Sequence, residues 1–284
     1  MSTAGTTRVV CCQLAPVVGD IDGNKRAVLA GVTDAAARGA DIIVLPELAT
    51  SGYPFTSVEQ AIGAAMTRDD PAFTEWAAAA GTAIVVLGFA EIGDGGVLHN
   101  SAAVLEGGRL RAVYRKTHLW DDEANFFTPG DEPPPVLDTA CGRIGVLVCY
   151  DMEFPEMTRS LAMRGADLLV VPTNWPLLET PPPGEHAPEV VIAMAAARVN
   201  HLFIVCCDRT DSGDGKRWTH GTAIVSAHGW VVAAAPSAAV GTVSADLDLL
   251  EARRKNISAR NHVFDDRRPH LYGDPETQSR KGVS

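Results

Sequence analysis

Residues 36–46 read AARGADIIVLP, and residues 162–172 read AMRGADLLVVP. Both share Ala-x-Arg-Gly-Ala-Asp, then four apolar residues, then proline. A glycine just past a helix supplies a left-handed cap, and a short unbroken apolar run suits a strand buried on both faces. The stretch therefore predicts a helix end, a tight turn and a buried strand, built twice. Neighbouring segments echo at similar offsets. Arg8 opens RVVCCQL and Arg143 opens RIGVLVC; TAIVVLGFAE (82–91) matches HLFIVCCDR (201–209); LHNSAAVLEGG (98–108) matches THGTAIVSAHG (219–229). Each half reads strand, helix, strand, helix, strand, then a strand with a glycine turn. Helices are expected over 22–38, 69–80, 155–164 and 187–199.

Apolar strands alternating with amphipathic helices make sheets covered by helices. Two similar halves then pack sheet on sheet with helices outside. The expectation is an α/β fold, a four-layer α-β-β-α sandwich, as one domain over 1–284 with no linker near its middle. A length of 284 residues suits one large α/β unit as well as two domains. The stretch PLLETPPPGEHAP (176–188) holds five prolines and reads as an extended loop. The tail from about 252 to 284 is rich in charge and poor in apolar period, which predicts disorder or docking on another surface.

Composition removes several function classes. Hydrophobic residues make up 46% and charged residues 21%, which is ordinary globular usage. A net charge of −11 opposes binding to nucleic acid or an anionic membrane surface. No run of eighteen apolar residues exists, and the N-terminus lacks a secretory pattern, so the chain reads as cytoplasmic. Six cysteines form two adjacent pairs and two singles, without zinc spacing, and no metal or cofactor is expected. Cys11–Cys12 and Cys206–Cys207 lie in apolar runs and read as small buried hydrophobes.

Three residues break the local pattern at strand ends. Glu47 follows IIVLP, where the second half has Thr173. A carboxylate there is either catalytic or a solvated turn residue. Cys149 ends RIGVLV and is followed by YDMEFPE, with Pro155 suited to a helix's first turn. It is either an exposed nucleophile at a strand-to-helix elbow or one more buried thiol. Lys116, in VYRKTHLW, ends an apolar strand and is either a surface lysine or an oxyanion ligand. His118 beside it offers a second base, though a lone His near an aromatic is more often structural. Taken together, the three predict acyl transfer: cysteine attacks, carboxylate takes the proton, ammonium stabilises the oxyanion.

Four segments, LPELATSGY (45–53), YRKTHLW (114–120), FFTPGD (126–131) and GVLVCYDMEFPE (145–156), occur in an order and spacing that resembles the nitrilase superfamily of carbon–nitrogen hydrolases. The resemblance covers roughly residues 8–272. It implies the four-layer sandwich, a Glu–Lys–Cys triad at Glu47, Lys116 and Cys149, and an accessory glutamate at Glu123. It also implies an oxyanion donor in the Tyr150 backbone N–H and dimers through helices near the nucleophile. Cys149-Tyr150-Asp151 resembles the aliphatic amidase and ω-amidase-like branches, whereas nitrile-cleaving members usually carry Cys-Trp-Glu. The implied reaction is hydrolysis of a small carboxamide to acid and ammonia through a cysteine thioester. The alternatives are an N-carbamoyl amidohydrolase or a nitrilase and, in another class, a non-catalytic metabolite-binding scaffold.

The substrate pocket is expected between Tyr53, Asn174 and Trp175. Asn174 and Trp175 follow the strand paired in the repeat with the one ending at Glu47, and Tyr53 follows Glu47 closely. Glu179, Glu185 and Glu189, with no Lys or Arg among 173–189, predict a neutral or cationic substrate end. The arginines of the tail, Arg253, Arg254, Arg260, Arg267 and Arg268, predict a homodimer or larger homo-oligomer in which the tail lies on a partner subunit.

Overall fold

The computed structural model of the protein describes residues 5–211, 215–235 and 239–272. Among them the first half forms β1 (Thr7–Gln13), α1 (Ile21–Ala37), β2 (Ile42–Val44), α2 (Val58–Ala64), α3 (Pro71–Ala80), β3 (Ile84–Ile92), β4 (Leu98–Glu106) and β5 (Arg109–Arg115). The second forms β6 (Val136–Thr139), β7 (Gly142–Val146), α4 (Pro155–Met163), β8 (Leu168–Pro172), α5 (Pro188–Asn200), β9 (Phe203–Cys207), β10 (Ala223–Val225), β11 (Val231–Ala234) and β12 (Gly241–Leu247). Two six-stranded sheets result, ordered β12-β1-β2-β3-β4-β5 and β11-β10-β9-β8-β7-β6. In one, β1, β2 and β3 run parallel and β4 and β5 antiparallel. In the other, β7, β8 and β9 run parallel and β10 and β11 antiparallel. The two halves therefore carry the same strand plan. The sheets face each other through β1 against β9 and β2 and β3 against β8. Helices α1 and α3 cover the first sheet, and α4 and α5 the second. This is the expected four-layer arrangement.

The repeated motif has a physical account. Gly39 and Gly165 sit at φ +75° and +88°, beyond α1 and α4. Gly39 N–H donates to Ala36 O and Ala40 N–H to Ala35 O; Gly165 and Ala166 repeat this onto Ala162 and Leu161. These paired bonds close both helices with the same left-handed glycine cap. The following aspartates join helix end to sheet. Asp41 accepts from the Arg8 N–H at 2.7 Å, and Asp167 from the Arg143 N–H at 3.0 Å. Each aspartate N–H returns a bond to the same arginine's carbonyl. The apolar run between Asp and Pro is fully buried in both halves.

The four expected helices appear within about two residues of their expected ends. Helix α3 starts at Pro71 because the Asp70 carboxylate caps the Ala72 N–H and proline takes the first turn. Strands β6 and β12 and helix α2 were not expected. The strands are edge additions, pairing antiparallel with β7 and β1. Cys11, Cys12, Cys206 and Cys207 are buried free thiols on β1 and β9.

The chain divides into two compact units, 1–253 and 254–284. The Arg253 guanidinium holds Asp167 of the same chain at 2.8 Å. In the second unit, Asp266 accepts from the His262 N–H and the Asn261 amide. Residues 273–284 of the expected tail lie outside the described residues.

Candidate active site

The ends of β2, β5 and β7 deliver three chemical groups to one buried place. Glu47 follows the Pro46 that closes the β2 run, and its N–H donates across the sheets to Thr173 O at 3.3 Å. That bond joins the two equivalent positions of the repeat. Gly88 of β3 makes this approach feasible, since a Cβ there would lie 2.4 Å from Glu47 Cα. Lys116 follows β5, its N–H bonded to Asn100 O. Side chains alternate along a strand. Arg115, the preceding residue, accordingly bonds the buried Glu91, which Ser101 and Arg68 also reach. Burial alone would raise Glu91; these donors outweigh it and hold it at about 2. The pair clamps the strand whose next side chain is Lys116.

Lys116 Nζ lies 2.8 Å from Glu47 Oε1 and 2.7 Å from Glu123 Oε2. Asn100 Nδ2 donates to both carboxylates, at 2.7 Å and 3.0 Å. Glu123 also accepts from the Trp120 N–H at 2.8 Å. Glu47, Lys116 and Glu123 are 1%, 1% and 2% exposed, so two carboxyl groups and one ammonium share a site closed to water. Burial would lower the Lys116 ammonium, but the two carboxylates outweigh it and hold it well above its ordinary value. Burial pushes Glu47 up to about 7 against the pull of Lys116. The result is a permanent cation beside a carboxylate poised near neutrality.

Cys149 is buried within electrostatic reach of Glu47, Lys116 and Glu123, and the Asn174 backbone N–H donates to its sulfur. Burial first, then Glu47, raises the thiol well above its usual value, so the sulfur rests protonated. Its backbone stands at φ +48°. Such a residue costs of order 1–3 kcal/mol and persists only where its surroundings impose it. Here Asp151 imposes it. Its carboxylate accepts from the Val148 N–H at 3.2 Å, while its own N–H donates back to Val148 O. The same carboxylate accepts from Tyr114 Oη, Thr117 Oγ1 and the His118 N–H, with His118 Nδ1 at 2.9 Å. Asp151 thus ties the Lys116 loop to the Cys149 turn. His118, stacked on Phe154 at 3.7 Å, belongs to that tie and not to the acid–base set.

Sequence reasoning had assigned no role to Asn100, Asp151 or Asp208. Asp208 is fully buried and accepts from the N–H groups of Trp175, Arg209 and Gly221 and from Thr219 Oγ1. It fixes the strap 173–175 whose Asn174 N–H reaches the thiol. A carboxylate after an apolar run, as in HLFIVCCD, was the available signal, the same one that marked Glu47.

Of the expected pocket residues, Tyr53 is 9% exposed and in the field of Glu123, Glu47, Lys116 and Cys149. Its ring meets Trp218 at 6.2 Å. The Arg209 guanidinium lies over that same indole and donates to Tyr53 O. Asn174 and Trp175 are buried, and neither the Asn174 amide atoms nor Trp175 Nε1 has a partner. Tyr150 stands edge-on to Trp120 and Phe154. Among the described residues, no group of three or more His, Cys, Asp or Glu side chains is placed to hold a metal, and no helix is long and apolar enough to cross a membrane.

The carbon–nitrogen hydrolase family profile matches residues 8–255. A nitrilase of Pyrococcus abyssi is 31% identical over 93% of this chain and 98% of its own length. An (R)-stereoselective amidase of Pseudomonas sp. is 33% identical over 94% of this chain and 93% of its own. The crystal structure of an amidase from Nesterenkonia sp. superposes with a TM-score of 0.75 at 26% identity, covering 95% of this chain and 96% of that one. A variant of that amidase carries acrylamide added to its active-site cysteine. With this match across its length and its two facing sheets, the chain belongs to the carbon–nitrogen hydrolases of the nitrilase superfamily.

Proposed function

We propose that the protein hydrolyses a small carboxamide to its carboxylic acid and ammonia, with Cys149 as nucleophile. The observation that carries this is the buried ammonium of Lys116, held between two carboxylates beside a protonated thiol. Glu47 takes the thiol proton as sulfur attacks the amide carbon. The developing oxyanion is met by Lys116 and the Tyr150 backbone N–H. Collapse of the tetrahedral adduct breaks the C–N bond, and Glu47 returns the proton to the leaving nitrogen. Water activated by Glu47 then cleaves the thioester and restores the thiol. Glu123 keeps Lys116 charged and aimed, and accepts from the substrate N–H2. Tyr53, Asn174 and Trp175 form walls of a narrow, largely preformed pocket.

The test is ammonia release from a short aliphatic amide, an N-carbamoyl amino acid and a nitrile at one pH. The aliphatic amide should be fastest. A preference for the carbamoyl compound or the nitrile would reject the amidase assignment. The protein is further proposed to work in the cytoplasm as a homodimer, with the tail from about residue 252 lying on the partner subunit. Light scattering that returned the mass of one chain would reject the dimer.

A further inference from the structure

Lys116 reaches Glu47 and Glu123, while its neighbour Arg115 reaches Glu91. Arg115 and Glu91 line a cavity of about 540 Å³ that contains none of the Glu47, Lys116, Glu123 and Cys149 side chains. Its walls come from 67–69, in the link between α2 and α3, from 91–94 at the end of β3, from 113–115 at the end of β5, and from 130–133 with Pro135 ahead of β6. The volume falls in the range of small-molecule sites. Backbone bonds tie these walls together. Met66 N–H donates to Ala90 O at 2.8 Å and Ile92 N–H to Met66 O at 2.9 Å, which lays the link beside Glu91. Gly130 N–H donates to Lys116 O at 2.8 Å, and a Cβ on Gly130 would lie 2.4 Å from Arg115 O. One wall of the cavity is thus bonded to the backbone of Lys116 itself.

The inner part of the cavity is cationic. Arg68 Nε and Arg115 Nη2 both donate to Glu91 Oε1, at 2.7 Å and 2.8 Å, and Arg115 Nε donates to Oε2 at 3.1 Å. Two guanidinium groups therefore share one buried carboxylate, whose Oε2 also accepts from Ser101 Oγ at 2.6 Å. Arg68 Nη1 and Nη2 and Arg115 Nη1 meet no hydrogen-bond acceptor among the described residues. Unspent guanidinium edges suit a carboxylate, which they grip through paired N–H bonds. The outer part is anionic. Asp69, Asp94, Asp131 and Glu132 line it, all four exposed, and their carboxylates form no ion pair or hydrogen bond among the described residues. Two of them are felt at the inner part: bonding to Glu91 raises the Arg115 guanidinium against burial, and Asp94 and Asp131 add to the rise. A simple anion entering here would meet the rim carboxylates, and a simple cation the two guanidinium groups. A ligand that carries both charges meets each with its opposite.

We propose that this cavity is an effector site for a free amino acid, whose carboxylate is taken by Arg68 and Arg115 and whose ammonium is taken by Asp94 and Asp131. Filling it draws on the same guanidinium groups that hold Glu91, and so acts on the strand end that carries Lys116. The site is separate from the reaction proposed above and does not depend on it.

Calorimetry on the wild-type chain tests it with three probes of matched length, none of them an amide: L-norleucine, pentylamine, which lacks the carboxylate, and hexanoate, which lacks the amine. Norleucine should bind about tenfold or more tightly than either, the usual scale of a hydrogen bond to a charged group. Arg68→Gln and Asp131→Asn should each weaken norleucine by about the same factor. Arg26→Gln, at an exposed position of α1, removes a charge elsewhere and should leave it unaltered. Occupancy should also be felt at the thiol. Saturating norleucine should change the rate at which iodoacetamide alkylates Cys149, read on its own peptide by mass spectrometry, by about twofold or more in wild type and not in Arg68→Gln. Neither readout needs turnover, so both decide whether or not the chain cleaves amides. Norleucine that fails to bind, that binds no tighter than pentylamine or hexanoate, or whose binding survives both Arg68→Gln and Asp131→Asn overturns the site. Binding that leaves Cys149 alkylation unaltered overturns its role as an effector site.

Discussion

The two halves of this chain build one sheet plan twice and then part at the strand ends. After β2 the first half places Glu47; after β8 the second places Thr173, and the two backbones bond to each other. After the strand opened by Arg143 comes Cys149; the matching strand opened by Arg8 runs on to Leu14. Lys116 directly follows β5, whereas Ala235 directly follows β11. The shared features are structural, namely the glycine caps and the aspartates that tie each helix to its sheet. The unshared features are chemical, and they meet between the sheets. A repeat that stayed symmetric would hold two copies of a scaffold and no site.

The largest test breaks the asymmetric groups. Glu47→Gln and Lys116→Met should each cost about 10²–10³ or more in kcat while circular dichroism stays unchanged, as loss of a base or an oxyanion ligand does. A variant that kept near-wild-type ammonia release would remove that residue from the mechanism.

The shared aspartates test the scaffold. Asp41 is exposed, whereas Asp167 is buried and also holds Arg253. Removing a buried charged acceptor with several donors costs about 3 kcal/mol, and an exposed one about 1 kcal/mol. Asp167→Ala should therefore lower stability in urea well beyond Asp41→Ala, with little effect on kcat in either. Equal losses would mean that the two ties are equivalent in energy as well as in pattern.

The base supplies a pH test. Its working form is the carboxylate, and burial holds Glu47 up at about 7. Below that pH the active fraction drops, so kcat/KM should rise tenfold per pH unit and level off above about 7. A limb centred in the ordinary carboxylate range would show that Glu47 is not the group read. The smallest effect belongs to its counterpart. Thr173 Oγ1 is buried and unpartnered. Thr173→Val keeps the shape and removes that hydroxyl, and should leave the melting temperature equal or slightly higher.

Much of the frame was legible because repetition is itself a signal. Gly39 and Gly165 marked helix ends, and the apolar runs after Asp41 and Asp167 marked buried strands. Glu47, Lys116 and Cys149 were legible as candidates because each interrupts an apolar run at a strand end. Asn100, Asp151 and Asp208 were not, because a buried polar side chain is explained by donors distant in sequence. Asp151 gathers groups from 114–118, and Asp208 from 175 and 219–221. Strands β6 and β12 escaped because edge strands need only modest apolar content and take their register from β7 and β1.

Cys149 is the nucleophile of the proposed reaction, so the most direct test replaces its sulfur alone. Ammonia release from a short aliphatic amide is to be followed for Cys149→Ala beside wild type, at equal concentration and with the fold checked by circular dichroism. The account predicts a folded protein that releases no ammonia above the buffer rate. Release near the wild-type rate would contradict it.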